Sequence, residues 1–140
     1  MRRTVLLLVI ALAGLWPFAH AAVVARYDVD PWKLGGWAMY TRPSPPLLVA
    51  LFTKVGGGFQ PIPESSLPRP ALAELESFRR ERHALGKLRE PRKLGIRTLE
   101  GRSDLSSVIV VVQKARLDND TATMHLDRVV FEYDRAASLR

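Results

Sequence analysis

The sequence predicts an α+β protein, an N-terminal apolar helix followed by a small antiparallel sheet with two helices packed on one side. Three observations carry that reading. An uncharged run extends from Thr4 to Ala25, two β-branched segments flank the polar turn Asp118-Asn119-Asp120-Thr121, and the stretch between the first strand-like segment and that hairpin spaces its apolar residues as a helix does. The chain divides accordingly into residues 1–25, a signal anchor or signal peptide; 26–46, an aromatic and proline-rich membrane-proximal junction; and 47–140, a small extracytoplasmic α+β domain. The roughly 115 residues beyond the apolar run are enough to bury a core without staples.

Arg2 and Arg3 precede Val5-Leu6-Leu7-Leu8-Val9-Ile10-Ala11-Leu12, and Leu15-Trp16 follows. A helix over this run just spans the roughly 30 Å hydrocarbon layer of a bilayer. The same residues also read as a cleaved signal peptide, with a basic start, an apolar centre, a break at Pro17 and Ala19-His20-Ala21 as the cleavage site. Because the run stays apolar through Val23-Val24-Ala25, the uncleaved anchor is the preferred reading. Arg2-Arg3 echoes a twin-arginine signal but lacks the flanking residues of that pattern. Arg26 and Lys33 are offset by Asp28 and Asp30, so the charge bias places the N-terminus in the cytoplasm and the residues from Arg26 onward outside it.

The junction Asp30-Pro-Trp-Lys-Leu-Gly-Gly-Trp-Ala-Met-Tyr-Thr-Arg-Pro carries Trp32, Trp37 and Tyr40, amphipathic rings of the kind that settle at the headgroup level. Packing of Trp32, Trp37 and Met39 beneath the following domain is the alternative. Asp30-Pro31 and Gly35-Gly36 punctuate turns, and Pro43, Pro45 and Pro46 hold the chain extended.

Leu47 to Val55 reads as a buried strand closed by Gly56-Gly57-Gly58, and Phe59-Gln60-Pro61-Ile62-Pro63 as an edge strand or extended loop, since its prolines cannot donate to a ladder. Ser65 to Pro70 predicts a helix start with a serine cap and a proline in the first turn. Leu72, Leu75, Phe78 and Leu85 then share a face, Glu76 and Arg80 stand at a favourable four-residue spacing, and Gly86 ends the helix. A shorter helix runs from Pro91 to Gly101 with Leu94 and Leu99 inward, although Gly95 weakens it. Ser106 to Leu117 and Met124 to Asp134 form the closing hairpin, with His125, Asp127, Val129, Phe131 and Tyr133 on one face of the second strand.

The chain has a formal net charge of +7, and its basic residues concentrate between Arg79 and Arg102. There Arg79, Arg80, Arg82, Lys87, Arg89, Arg92, Lys93, Arg97 and Arg102 stand against Glu81, Glu90 and Glu100. Contact of the first eight with anionic lipid headgroups is the functional reading, at about 1 kcal/mol per residue. A solvated helix surface with local ion pairs is the bland one. Nucleic acid is disfavoured, because no aromatic residue interleaves with the charges to stack on bases.

Chemistry is sparse. The absence of cysteine removes disulfides, thiolate metal sites and a thiol nucleophile. His20, His83 and His125 lack metal-ligand spacing, the serines lack a Gly-x-Ser-x-Gly elbow, and the glycine triplet lacks the Lys-Ser/Thr of a phosphate loop, so neither a metal nor a cofactor is expected. His125 and Asp127 are the sole candidates for an acid–base pair, and a surface histidine is the simpler account of the first.

Trp37-Ala38-Met39-Tyr40 followed by Pro43 and Pro45 resembles the Trp-x-Met-Phe/Tyr plus proline signature after the last membrane helix of bacterial relatives of the vitamin K-dependent gamma-carboxylases. Those proteins carry the horizontally transferred transmembrane domain, and small single-span companions share the signature. Leu85 to Leu88 and Arg116 to Thr121 are similar in layout. The resemblance implies a membrane-proximal role for Trp37, Met39, Tyr40 and Pro43, beside the one read for Trp32 from its ring, and a multi-span membrane partner. It implies no activity, because one apolar segment has no counterpart to the carboxylase's reactive lysine or its multi-helix core. The expectation is therefore a non-catalytic, membrane-tethered extracytoplasmic accessory domain that binds a membrane protein and anionic lipid. A freely secreted or periplasmic domain binding an acidic ligand through its basic helix surface, or an unrecognised hydrolase, are the alternatives.

Overall fold

The computed structural model describes residues 2–30, 47–118 and 121–138. It divides into two compact units, Met1–Pro43 with Glu81–Arg89, and Ser44–Arg80 with Glu90–Arg140.

In the first unit α1 (Arg2–Tyr27) is a single 26-residue helix. The break expected at Pro17 does not occur, and the proline lies inside the helix. An interior proline removes one backbone bond and its ring crowds the carbonyl four residues earlier, and α1 continues through Pro17 despite that cost. Past α1 the chain turns at Asp28, whose φ is 55°, and the Asp30 N–H donates to Ala84 O at 3.0 Å while Val29 is buried. Gly86 follows the last turn of α2 (Arg69–Leu85) with φ 55° and opens a 3-10 turn, Gly86–Leu88. A side chain there would collide with the carbonyl oxygens of Tyr27 and Asp28, so glycine is required twice over, by its backbone angle and by the close approach of the α1 terminus.

The second unit is built on a four-stranded antiparallel sheet in the order β2-β1-β3-β4, with β1 Leu47–Val55, β2 Gly58–Ile62, β3 Ser107–Asp118 and β4 Thr123–Asp134. Gly56 and Gly57 both have positive φ, as a two-residue hairpin turn matching the strand twist requires. The expected edge strand is β2, with Pro61 within it. Register fixes the faces: Leu51 faces Val110 and Val49 faces Val112, while Val110 and Val108 face Phe131 and Tyr133 on the far side.

These residues form the sheet's share of the core, which α2 closes with Ala71, Leu75 and Phe78 and α3 (Arg92–Gly101) with Leu94 and Leu99. Both helices thus pack on one face. Burying a Leu, Val or Phe is worth about 1.5–3 kcal/mol, so this seam dominates the unit's stability. The serine cap is not formed: Ser66 lies in a 3-10 turn, Glu64–Ser66, and its hydroxyl donates to Pro63 O at 2.8 Å. α2 starts three residues later, where Pro68 O accepts the first helical bond from Leu72 N–H at 2.9 Å. Gly95 earns its place in α3, because the ring of Tyr133 occupies the space where a Cβ would be. Four residues after β4, Arg135–Ser138, form a short α4.

Candidate functional site

The feature with the clearest functional meaning is α1. Between Val5 and Phe18 its large apolar side chains are exposed, from Leu6 and Leu7 on one turn to Leu15 and Phe18 on others. The helix is apolar around its whole circumference, where a surface helix of a soluble domain would show one stripe. It is about 39 Å long at 1.5 Å per residue, and is long and apolar enough to cross a membrane. It is an exposed N-terminal apolar helix of the kind that forms a signal anchor or signal peptide. His20 is the buried exception, with its ring 6.0 Å from that of Trp16.

The junction residues Trp32, Trp37, Met39, Tyr40 and Pro43 lie outside the described residues. The eight basic residues separate by role. In the first unit, Arg82 is buried and donates to Arg89 O at 2.7 Å, and Arg89 pairs through Nε with Glu81, while Lys87 is exposed. In the second unit, Arg79 pairs with Glu64 and reaches Val49 O at 3.4 Å, and Arg97 pairs with Glu100 at 3.2 Å. Arg80, Arg92 and Lys93 are exposed there. Thus Arg79, Arg82 and Arg89 spend their hydrogen-bonding capacity holding the fold. No ion pair joins Glu76 to Arg80 despite their spacing; Glu64, distant in sequence, takes the neighbouring Arg79 instead. The hydrogen bond and charge of Arg79 hold the Glu64 carboxyl below its usual range.

The polar groups elsewhere are structurally engaged. A cleft of about 310 Å³ in the second unit is lined by Thr53, Gln60, Ser66, Arg102, Asp104 and Leu105 among others. Arg102 grips Asp104 with two bonds of 2.8 and 2.7 Å and also donates to Ser66 O at 3.3 Å. That grip holds the Asp104 carboxyl at about 2. Thr53 Oγ1 donates to Ser107 O at 2.9 Å. Thr53, Ser66, Arg102 and Asp104 of the cleft thus all hold hydrogen bonds within the unit.

His125 and Asp127 are both exposed on β4, and His125 Nε2 lies 3.0 Å from Thr123 Oγ1. This is local hydrogen bonding along one face of an exposed strand. Among the described residues no group of His, Asp and Glu converges as metal ligands.

Two residues are prominent in the structure: Arg135, which no sequence motif marks, and Tyr133, which the sequence marks only as a member of a strand face. Arg135 donates to Leu105 O at 3.0 Å, to Arg102 O at 2.6 Å and to Leu99 O, placing a guanidinium on the C-terminal carbonyls of α3. Tyr133, half-buried over Gly95, has its hydroxyl pushed up to about 12, first by burial and then by the charge of Glu90. The first is a long-range cap that no local motif announces. That a tyrosine, next to last in its strand, lies over a helical glycine is visible only once both are placed.

No family model, no curated protein and no solved structure matches the chain.

Proposed function

We propose that the protein is a non-catalytic accessory domain tethered to the membrane by α1, with its α+β unit outside the cytoplasm, bound to a multi-span membrane protein and to anionic lipid headgroups. The observation that carries this reading is the exposure of an apolar surface on every side of α1. The eleven Leu, Ile, Val and Phe residues between Val5 and Val24 supply about 3 to 7 kcal/mol of insertion free energy, and no charged side chain in that span opposes it. Arg80, Arg92 and Lys93, exposed on the second unit, and Lys87, exposed on the first, are the residues left for headgroups.

The test is fractionation of the full chain expressed in bacteria, with an alkaline wash of the membranes. An intact N-terminus that stays with the pellet supports the tether, and Leu8→Arg with Leu12→Arg, at about 2.5–3.5 kcal/mol each, releases the chain. A mature chain beginning near Ala22 and recovered in the soluble periplasm refutes it and leaves a secreted domain. For lipid contact, Arg92→Ala with Lys93→Ala weakens binding to anionic vesicles about 30-fold at low salt, at about 1 kcal/mol per residue. Unchanged binding removes lipid from the proposal.

A further inference from the structure

The two edges of the sheet are built differently. β2 has five residues and contains Pro61, which leaves that edge short and interrupted. β4 has twelve residues, contains neither proline nor glycine, and pairs with β3 without a bulge from Thr123 to Asp134. The outer N–H and C=O groups of such a strand template another strand, and proteins suppress this with short edges, prolines or bulges. β4 has none of these. Its apolar Met124, Leu126 and Val130 are exposed on the face away from α2 and α3.

Charged residues do stand on β4, and their order matters. When two copies of a strand pair antiparallel about a two-fold axis, the residues equally far from the axis face each other on one side of the sheet. An axis through Val130 sets Val130 on Val130, Arg128 against Glu132 and Val129 against Phe131, each of the last two pairs occurring twice. An axis at Val129 sets Arg128 against Val130 and Leu126 against Glu132. At Phe131 it sets Val130 against Glu132, and at Arg128 or Glu132 it brings like charges face to face, which is destabilising. One register alone therefore matches apolar with apolar and opposite charge with opposite charge over the central residues.

We infer that β4 pairs with β4 of a second copy of this chain, antiparallel about an axis through Val130, which joins the two four-stranded sheets into one. The occupant is a second copy because Arg128 and Glu132, equally far from Val130, are each other's complement in charge. Glu132 already holds Lys54 across β3, so the partner's Arg128 extends an existing pair into a row of alternating charge.

The chain contains no cysteine, so a single introduced thiol reports the contact without background. Val130 is 54% exposed and tolerates Val130→Cys. Directly opposite side chains across an antiparallel pair have Cβ atoms roughly 4.5–5.5 Å apart, within reach of a disulfide after small adjustment. The full chain, purified in mild detergent and oxidised, is expected to give a disulfide-linked dimer for Val130→Cys and none for Phe59→Cys on the other edge. Adding Arg128→Glu or Glu132→Arg to the Val130→Cys chain abolishes the crosslink, and mixing the two differently tagged chains restores it, because both cross-axis pairs are again of opposite charge. A folded Val130→Cys chain that stays monomeric, equal crosslinking at Phe59→Cys, capture of another protein in place of a second copy, or failure of the mixture to crosslink overturns the inference.

Discussion

Replacing Gly95 by alanine sets two effects of opposite sign against each other, and the structure says which wins. Inside a helix that exchange is worth about 0.8–1.0 kcal/mol in favour of alanine. Here the new Cβ lands on the ring of Tyr133, so the ring must move off α3 or the helix must move off the sheet. Overpacking of this kind costs about 1–3 kcal/mol, and with the ring half-buried a cost near the middle of that range, about 2 kcal/mol, is expected. The expected net effect in the natural background is about 1 kcal/mol of destabilisation. Over Tyr133→Ala the obstacle is gone and the same exchange stabilises by about 1 kcal/mol, a swing of about 2 kcal/mol between backgrounds. Urea unfolding of the full chain in mild detergent, followed by far-ultraviolet circular dichroism, reads this directly. At about 1–2 kcal/mol per molar urea, the two effects separate by about 1–2 M in midpoint shift. Equal stabilisation in both backgrounds would refute the contact between Gly95 and Tyr133.

Tyr133 also has a pH signature. Its folded value of about 12 lies above the model-compound value of 10.0, so its contribution is complete below pH 10 and is lost as pH rises toward 12. Ultraviolet titration of tyrosinate should show a late phase that Tyr133→Phe removes, and a titration without that phase would mean the ring is solvated. Removing the cap on α3 by Arg135→Ala should destabilise the chain by about 2 kcal/mol, the range for hydrogen bonds to a charged group. Arg135→Lys should recover less than half, because one ammonium cannot reproduce a planar fork on several carbonyls. Full recovery in urea midpoint would show that charge alone, and not the fork, holds the helix end.

The elements were legible where a local rule had only one competitor. Leu47–Val55 with the glycine triplet after it is a strand and turn by pattern alone, and so is the pair of β-branched runs around Asp118. Leu75, Phe78, Leu94 and Leu99 announced the helix faces that now meet the sheet. What failed was whatever depended on a distant group. The serines near Ser65 satisfy the cap pattern, but a 3-10 turn uses them first. Arg79, Arg82 and Arg89 look identical to Arg80 and Arg92 in a charge run, and their partners Glu64, Arg89 O and Glu81 separate them only in three dimensions. Gly95 read as a weakness in a helix because the ring that needs its space is on β4.

The pair between Lys54 and Glu132 has one more implication. Lys54 on β1 reaches over β3 to Glu132 on β4, and the register places Ile109 beside Glu132 on that face. Ile109 is buried although α2 and α3 pack on the opposite side of the sheet. Its ladder neighbours there are Phe52 on β1 and Glu132 on β4, and long charged side chains such as those of this pair can lay methylene stems over apolar surface while their heads stay in water. A bridge of that kind adds apolar cover to its attraction, and salt that weakens the attraction does not remove the methylenes.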